Sequence, residues 1–257
     1  MKSSSYFVPG DVRETRRPIS AARLWVAGDH VMTQRLFVTG SDTGVGKTRV
    51  AAALCAAFAV RGQRVSAMKP VASGCTLTAE GLRNDDALTL MASMNVRARY
   101  DDVNPYAFGP AIAPHIAAAE AGVDIDFEVL DRAFERLRLQ SDVVIVEGAG
   151  GWLAPLDGSR AFADLAARWQ MDVILVVGMR LGCLNHALLT AESIERRGLC
   201  LSGWVANVID PQFERLAENA ASLGSRLTAP CIGLLHFQES FDPLEVAGAL
   251  GVDVLTT

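Results

Sequence analysis

Long apolar runs, paired cysteines and excess positive charge are all missing from this sequence of 257 residues. Without an apolar run long enough to cross a bilayer, the sequence argues against an integral membrane protein. A net charge of −5, with no basic block after residue 35, argues against nucleic acid as the main partner. The five cysteines form no Cys-x-x-Cys pair, so we expect free thiols and a cytoplasmic location.

Half of the residues are hydrophobic, and from residue 35 onwards predicted strands and helices alternate. This alternation predicts an α/β fold in which helices cover both faces of a mostly parallel β-sheet. Runs of β-branched residues at 143–146 and 173–177 are typical of strands buried on both faces. The predicted strands cover residues 36–39, 65–68, 143–146, 173–177, 204–209 and 231–235, and the predicted helices cover 47–61, 82–94, 114–121, 184–197 and 213–223, with a further helix after Asp126.

The first 34 residues differ from the rest, because they are rich in Ser and Arg and have no reliable period. We expect residues 1–34 to be a disordered extension, or the result of a misplaced start codon with Met32 as the true start, rather than a functional arm. Residues 35–257 then form a single α/β domain.

The most informative stretch is 39–48, which reads Thr-Gly-Ser-Asp-Thr-Gly-Val-Gly-Lys-Thr between a short apolar run and an Ala-rich segment. The glycines Gly44 and Gly46 allow a tight turn with inward N–H groups, as in a phosphate-binding P-loop. Lys47 supplies a charge for phosphate oxygens and Thr48 a hydroxyl for Mg²⁺. A serine stands where the strict pattern has its first glycine, so a glycine-rich turn with a surface lysine is the alternative.

In a parallel sheet of this kind, ligands bind at the carboxyl ends of the strands. Lys69 follows the second strand and can reach phosphates held by the P-loop, unless it is merely solvated. Glu147 follows a buried strand and precedes glycines, so it suits Mg²⁺; the alternative is an acid in a turn. We expect the helix predicted after the second strand to be capped by Asn84 or Asp85. Of the two acids Asp85 and Asp86, we expect one to have a capping role and the other to bind Mg²⁺.

Two later strand ends also carry candidate residues. Gly182 and its neighbours open a helix, and the N–H groups there form an anion site. Asn207 ends the next strand and either makes a turn or hydrogen-bonds a base edge.

Taken together, several blocks of the sequence resemble the dethiobiotin synthetase family, a branch of the P-loop NTPases, from about Arg35 to Pro230. The resemblance implies an ATP-dependent ligase that closes the ureido ring of dethiobiotin from 7,8-diaminopelargonate and CO₂, through a carbamate that ATP phosphorylates. It also implies Mg²⁺ and a homodimer. The blocks are 39–48, 69–74, 81–88, 104–106, 114–116, 146–151, 181–187 and 203–207.

The same resemblance implies a role for each matching residue. Lys47 and Lys69 would be catalytic cations, and Thr48, Asp86 and Glu147 would hold Mg²⁺. The implied ATP-binding residues are Gly44, Val45, Gly46, Lys47, Thr48, Arg49, Asp86, Glu147, Gly148, Ala149, Gly150 and Asn207, the last of which would read adenine. The implied substrate-binding residues are Thr43 and Ser73 at the diamine end, and Gly182, Cys183, Leu184 and Asn185 at the carboxylate, across the dimer interface.

The sequence departs from the family at Gly44, where some relatives have glutamate, and at Val208, where some have aspartate. His236 and Phe237 stand where we expect a proline and an aromatic residue, which puts the base-side contacts there in doubt. The main alternative is a partition-type P-loop ATPase, a nucleotide-switched binding module. Such proteins have a lysine five residues before the P-loop lysine, where this chain has Asp42. A corrin-type amide ligase would need an attached glutaminase domain, for which the chain is too short.

Overall fold

The computed structural model describes residues 33–255, so the predicted extension over residues 1–34 lies almost entirely outside the described part. Among the described residues, no helix is both long and apolar enough to cross a membrane. The strands are β1 (Gln34–Gly40), β2 (Val65–Met68), β3 (Val71–Ala72), β4 (Thr76–Thr78), β5 (Gly81–Arg83), β6 (Tyr106–Ala107), β7 (Val143–Glu147), β8 (Asp172–Met179), β9 (Leu201–Val208) and β10 (Cys231–Leu235). The helices are α1 (Lys47–Val60), α2 (Asp85–Ser93), α3 (Tyr100–Val103), α4 (Pro114–Glu120), α5 (Phe127–Arg138), α6 (Phe162–Arg168), α7 (Cys183–Arg196), α8 (Leu216–Gly224) and α9 (Pro243–Ala247), followed by a 3₁₀ turn at Val252–Leu255.

Within residues 33–255, the main sheet has six strands in the order β10-β9-β8-β1-β7-β2, and every neighbouring pair is parallel. The predicted parallel sheet is therefore confirmed. The first strand lies in the interior, between β7 and β8, and the chain leaves it towards β2 on one side before returning to β8 on the other. Such a reversal of strand order opens a crevice at the carboxyl ends, where α/β folds bind ligands.

The central strand contributes to two separate cores, because successive side chains point to opposite faces of a sheet. Leu36 and Val38 pack on the face covered by α1, α2 and α9. Phe37, between them, packs on the other face with residues of α4 to α7. All three side chains are fully buried. Burial on both faces explains why this strand is a continuous apolar run.

Helix α1 is buried over most of its length, from Lys47 to Phe58. Its sequence is rich in alanine, and these small side chains let the helix lie close to the sheet, with α2 and α9 packed against it. A helix that is apolar on all sides is typical of such a buried position. The burial fixes the N-terminus of α1 directly beside the end of β1.

The structure differs from the sequence prediction mainly in short and irregular elements. The predicted helix at 213–223 begins only at Leu216, because Arg215 adopts a left-handed conformation with φ +60° and interrupts the helical path. The predicted strand at 204–209 instead spans Leu201–Val208. The exposed hairpin of β4 and β5 was not predicted, since its strands of three residues are too short to show a period.

A buried carboxylate holds α3 against α5. The side chain of Asp102, only 8% exposed, accepts hydrogen bonds from Arg99 at 3.0 Å and from Nε of Arg136 at 2.7 Å. Burial alone would raise the pKa of Asp102, but the hydrogen bonds from the two guanidinium groups outweigh it and lower that pKa. The carboxylate therefore stabilises the folded state most when it is ionised.

We predict that Asp102→Asn lowers the free energy of unfolding at pH 7 by about 1–3 kcal/mol, the range for hydrogen bonds to charged groups. Because the folded pKa is lowered, this contribution is fully present above the unfolded value of about 4 and is lost as the pH falls through the folded value. Urea unfolding at a series of pH values should therefore show the two proteins converging in acid. Asp101→Asn, at the exposed neighbour on the same helix, is the control. An equal effect of both substitutions at pH 7 would contradict the assignment.

Candidate active site

The P-loop connects the end of β1 with α1, as the sequence predicts. Gly46 is the N-cap of α1 and adopts a left-handed conformation with φ +84°, and Lys47 is the first residue of the helix. The first amide N–H groups of a helix have no partner within it and form a natural anion site. The loop therefore offers backbone donors at the carboxyl edge of the central strand.

Val45 anchors the loop to the sheet. Its side chain is 1% exposed and packs in the core between β1 and β8. A Cβ atom at Gly40 would lie 2.6 Å from one Val45 methyl group, and a Cβ at Gly178 would lie 2.8 Å from the other. Both glycines thus make room for Val45, which contributes to the site by fixing the loop rather than by facing the cavity.

Asn207, at the end of β9, lies directly beneath the loop. Its Nδ2 donates a hydrogen bond to the Val45 carbonyl at 2.8 Å. Its Oδ1 is buried and has no hydrogen-bond partner within the described part of the chain. Any Cβ at Gly46 would lie only 2.2 Å from Asn207 Nδ2. The asparagine therefore supports the P-loop through one amide atom and keeps one acceptor unused.

The mouth of the loop opens into a cavity of about 350 Å³. It brings together most of the residues that the sequence singles out, from four separate segments. Ala72 and Asn84, to which the sequence analysis assigned no binding role, also line it. The predicted residues that line the cavity are Thr43, Gly44, Gly46, Lys47, Thr48, Lys69, Ser73, Asp86, Glu147, Ala149 and Gly150.

Lys69 is the centre of a buried ionic cluster. Its ammonium group lies 2.5 Å from Glu147 Oε1 and 2.9 Å from Asp86 Oδ2, and it donates to the Gly148 carbonyl at 3.3 Å. Burial alone would lower the pKa of Lys69, but the two carboxylates outweigh it and raise that pKa. Lys69 is therefore a permanent cation, and its alternative role as a solvated surface lysine is wrong, since it is 3% exposed.

Lys47 differs from Lys69 because no carboxylate among residues 33–255 is in direct contact with it. Its Nζ donates to the backbone carbonyl of Asp42 at 3.3 Å. Burial, with a further contribution from the charge of Lys69, lowers the pKa of Lys47 to about 8. A bound polyphosphate would supply the negative charge that this ammonium group lacks.

Glu147 and Thr48 form the oxygen-rich side of the cavity. The Thr48 hydroxyl donates to Glu147 Oε1 at 2.9 Å. The other oxygen, Oε2, is buried and has no hydrogen-bond partner among residues 33–255. Burial raises the pKa of Glu147, while Lys69 and Thr48 oppose that rise. A carboxylate oxygen without a partner beside a hydroxyl fits Mg²⁺, which favours oxygen ligands and usually takes one or two carboxylates plus phosphates.

Asp86 lies in the first turn of α2, facing the cavity. The N-cap of this helix is Asn84, whose Oδ1 accepts the Ala87 N–H at 3.1 Å. The expectation that Asn84 or Asp85 caps this helix is confirmed with Asn84, whereas the expectation that one of the two aspartates takes the capping role is wrong. Burial alone would raise the pKa of Asp86, but Lys69 outweighs it and lowers that pKa, so Asp86 is an anion available for a metal.

Several predicted residues lie outside this cavity. The start of α7 is a separate exposed turn, with Gly182 at the N-cap in a left-handed conformation of φ +92°. Arg49 points towards the C-terminal segment, where it donates to Gln238 Oε1 at 3.0 Å and lies 5.3 Å from the Phe241 ring. The predicted residues that do not line the cavity are Val45, Arg49, Gly148, Asn207, Gly182, Cys183, Leu184 and Asn185.

Comparison with known proteins identifies a matching family model and closely similar relatives. Residues 34–245 match the family model described as an AAA domain. An ATP-dependent dethiobiotin synthetase of Pseudomonas aeruginosa is 54% identical over 215 residues, which are 83% of this chain and 94% of the relative. Another from Xanthomonas oryzae pv. oryzae is 51% identical over 202 residues, which are 79% of this chain and 90% of the relative. The chain belongs to the dethiobiotin synthetase family.

A solved structure supports the fold of this dethiobiotin synthetase family member. The MinC:MinD cell division protein complex of Aquifex aeolicus aligns with a TM-score of 0.52 and 17% identity, covering 80% of this chain and 83% of that one. At this identity the likeness concerns the fold alone. The position five residues before Lys47, where partition-type ATPases have a lysine, holds Asp42, which forms an ion pair with Arg180. Position 42 therefore carries an anion, where the alternative function needs a cation.

Two supporting features of this synthetase could not be found from the sequence. The ion pair of Asp42 and Arg180 joins the P-loop to the turn before α7, across 138 residues of chain. The side chain of Arg49 contacts the segment at 238–241, and its hydrogen bond to Gln238 spans 189 residues of chain. Neither contact leaves a local pattern, because each depends on how distant loops are arranged by the sheet.

We predict that Gly46→Ala abolishes tight binding of a non-hydrolysable ATP analogue. The new Cβ would strain a left-handed residue and displace Asn207, which breaks the hydrogen bond to Val45 and moves the loop amides. Calorimetry should show an affinity loss of at least about tenfold, equivalent to about 1.4 kcal/mol.

Gly62→Ala is the matched control, at the other end of α1. Gly62 has a similar φ of +80°, but a Cβ there would meet no atom within 4 Å. It should cost roughly 1–2 kcal/mol of stability through strain and leave the affinity for the analogue unchanged. Equal affinity losses in both variants would mean that general destabilisation, and not the loop, is responsible.

Proposed function

We propose that this chain is a Mg²⁺- and ATP-dependent dethiobiotin synthetase. It joins 7,8-diaminopelargonate and CO₂ into a ureido ring, with ATP converted to ADP and phosphate. The observation that carries the proposal is that two lysines and two carboxylates from separate segments converge in one cavity beside the P-loop, in a member of this family.

The reaction needs two new bonds from nitrogen to one carbon. One amine of the substrate adds to CO₂ and loses a proton, which gives a carbamate. A carbamate oxygen then attacks the γ-phosphorus of ATP and ADP departs. The second amine attacks the carbamate carbon and expels phosphate, which closes the ring. Each step concentrates negative charge on oxygen atoms, so fixed cations are the main catalytic requirement.

The residues of the cavity suit these steps. Lys47 faces the position of the β- and γ-phosphates at the P-loop, and its unpaired ammonium group gains a counter-charge there. Lys69 lies where the carbamate and the γ-phosphate would meet. Thr43 and Ser73 line the same cavity and supply hydroxyl groups for the diamine end. The nucleotide extends towards Arg49 and Asn207, whose free Oδ1 is an acceptor for the amino group of adenine.

Thr48, Asp86 and Glu147 are the residues that would hold Mg²⁺. The free Oε2 of Glu147 and the ionised Asp86 offer two carboxylates on one wall of the cavity. When bound, the ion would neutralise part of the charge on the phosphates. Gly148, Ala149 and Gly150 follow Glu147 and let the backbone approach the nucleotide closely.

We further propose that the chain works as a homodimer. The start of α7 is an anion site of the kind that suits the carboxylate of the substrate, yet Gly182–Asn185 does not line the cavity of its own chain. The residue just before it, Leu181, is 96% exposed in the single chain and would be covered by the other subunit in such a dimer. In a two-fold dimer, this turn would receive the substrate held by the other subunit.

We propose a cytoplasmic location. All five cysteines lie in the described part of the chain and carry free thiols, of which Cys200 and Cys231 are exposed. Exposed free thiols suit a reducing compartment.

The purified chain should form dethiobiotin from 7,8-diaminopelargonate, bicarbonate and Mg·ATP, detected by mass spectrometry together with phosphate release. Lys47→Ala should lower kcat by at least about a hundredfold, the effect of one preorganised electrostatic group. Circular dichroism checks that the variant is folded. Phosphate release without dethiobiotin, or near wild-type turnover in the variant, would contradict the proposal.

The shared site can be tested by mixing two inactive variants. Lys47→Ala removes the phosphate cation, and Gly182→Pro disrupts the start of α7, since proline cannot adopt the φ of +92° found there. In a mixed dimer, one site combines an intact P-loop with an intact α7 start, and the other carries both defects. Mixing should therefore restore activity towards half of the wild-type value per mixed dimer.

Subunit exchange is verified by native mass spectrometry with one isotopically labelled variant. Mixing two preparations of Lys47→Ala is the control and should restore nothing. If verified mixed dimers of folded subunits stay inactive, the carboxylate is bound within one chain.

A further inference from the structure

Tyr100 and Asn104 do not line the cavity, but they hydrogen-bond to two segments that do. Tyr100, in α3, accepts the Asn84 N–H at 2.8 Å and donates its hydroxyl proton to Asn104 Oδ1 at 2.9 Å. Both asparagines are buried, with 7% and 3% of their surface exposed. We call these three residues the Tyr100 network. The guanidinium group of Arg83 lies 4.1 Å from the Tyr100 ring and covers it.

One end of the network fixes the backbone of Lys69. Asn104 Nδ2 donates to the Lys69 carbonyl at 2.7 Å, and the Lys69 N–H donates to the Val103 carbonyl at 2.7 Å. The consecutive residues Val103 and Asn104 therefore bind both the backbone N–H and the backbone carbonyl of Lys69. Since Asn104 Oδ1 is occupied by Tyr100, the orientation of its amide is fixed, and Nδ2 faces Lys69.

The other end fixes the helix that carries Asp86. Tyr100 binds the backbone N–H of Asn84, which is the N-cap of α2, and Asp86 lies two residues later in the first turn. A shift of the cap would move the whole turn, because the cap determines where the helix begins. The tyrosine hydroxyl thus connects the backbone of Lys69, through Asn104, with the backbone that places Asp86.

We propose that Tyr100 and Asn104 are positioning residues that set the geometry between Lys69 Nζ and the Asp86 carboxylate, 2.9 Å apart in the structure. The inference rests on the proposed function for the roles of Lys69 and Asp86. It assigns a purpose to Arg83, Asn84 and Asn104, which belong to the sequence blocks 81–88 and 104–106 but have no role of their own in the proposed reaction. Catalytic groups need placement to a fraction of an ångström, so a network of this kind acts on turnover more than on stability.

Tyr100→Phe is the most direct test, because it removes both hydrogen bonds and keeps the ring beneath Arg83. We expect kcat to fall by about tenfold to a hundredfold, the usual effect of losing a partner that orients a ligand. The affinity for a non-hydrolysable ATP analogue in the absence of Mg²⁺ should change little, because the P-loop contacts are untouched. Titration of a non-hydrolysable ATP analogue with and without Mg²⁺ should show that the gain in affinity from Mg²⁺ is reduced, since Asp86 is misplaced.

Tyr106→Phe is the matched control. The Tyr106 hydroxyl also accepts a backbone N–H, that of Asp126 at 2.9 Å, and the ring is also partly buried. This hydroxyl lies outside the Tyr100 network, so its loss should leave both kcat and the gain from Mg²⁺ unchanged. A purely structural role for Tyr100 would make the two variants behave alike at matched thermal stability.

A double variant tests the route of the effect. If Tyr100 acts largely through Asp86, then Tyr100→Phe should alter the gain from Mg²⁺ much less in an Asp86→Asn background than in the wild type. Asn104→Ser, which breaks the other end of the network, should reproduce the behaviour of Tyr100→Phe and serves as the test if that variant does not fold.

Wild-type kcat and a wild-type gain from Mg²⁺ in folded Tyr100→Phe would overturn the inference. An equal loss in Tyr106→Phe, or an undiminished loss in the Asp86→Asn background, would overturn it as well. The analogue titration tests the role of the Tyr100 network independently of catalysis, because it measures binding alone. A wild-type chain that binds Mg·ATP analogue but makes no dethiobiotin would contradict the proposed function alone.

Discussion

The ionic cluster of Lys69, Glu147 and Asp86 is the constraint on which the site depends. Two neighbouring strands, β2 and β7, end side by side. Lys69 follows β2 and Glu147 is the last residue of β7, so the two side chains meet beside the P-loop. A buried lysine without its carboxylates, or a buried glutamate without its lysine, would cost several kcal/mol, on the order of 3–5. The strands and α2 must therefore dock together, and a correctly folded sheet brings the charged groups of the cavity together as a consequence.

The chemistry of the cations follows from their surroundings. The whole chain has three lysines, and two of them, Lys47 and Lys69, line this cavity, whereas the other members of the set of 24 Lys and Arg residues, apart from Lys2, are arginines. A lysine is a compact point charge whose pKa responds to burial, while an arginine stays charged and presents a broad planar fork. The two lysines use this property in opposite ways, because carboxylates raise the pKa of Lys69 and burial lowers that of Lys47 to about 8.

Two sides of the cavity are held in place by contacts with more distant parts of the chain. The Tyr100 network holds the side of Lys69 and Asp86, and the ion pair between Asp42 and Arg180 holds the P-loop to the turn before α7. In the proposed dimer, that turn carries the anion site for the substrate of the other subunit. The P-loop of one site and the carboxylate site of the next would then share one local structure.

The sequence by itself determined the elements with a local signal: the strand, loop and helix around Gly46, the parallel sheet, and the positions of Lys69 and Glu147 at strand ends. It also identified the family, because motifs in a fixed order carry that information. Only the tertiary structure decided that Asn207 supports Gly46 and that Tyr100 connects the segments of Lys69 and Asp86. Periodicity and turn chemistry act over a few residues, whereas these contacts depend on strand order and on the packing of loops that are distant in the chain.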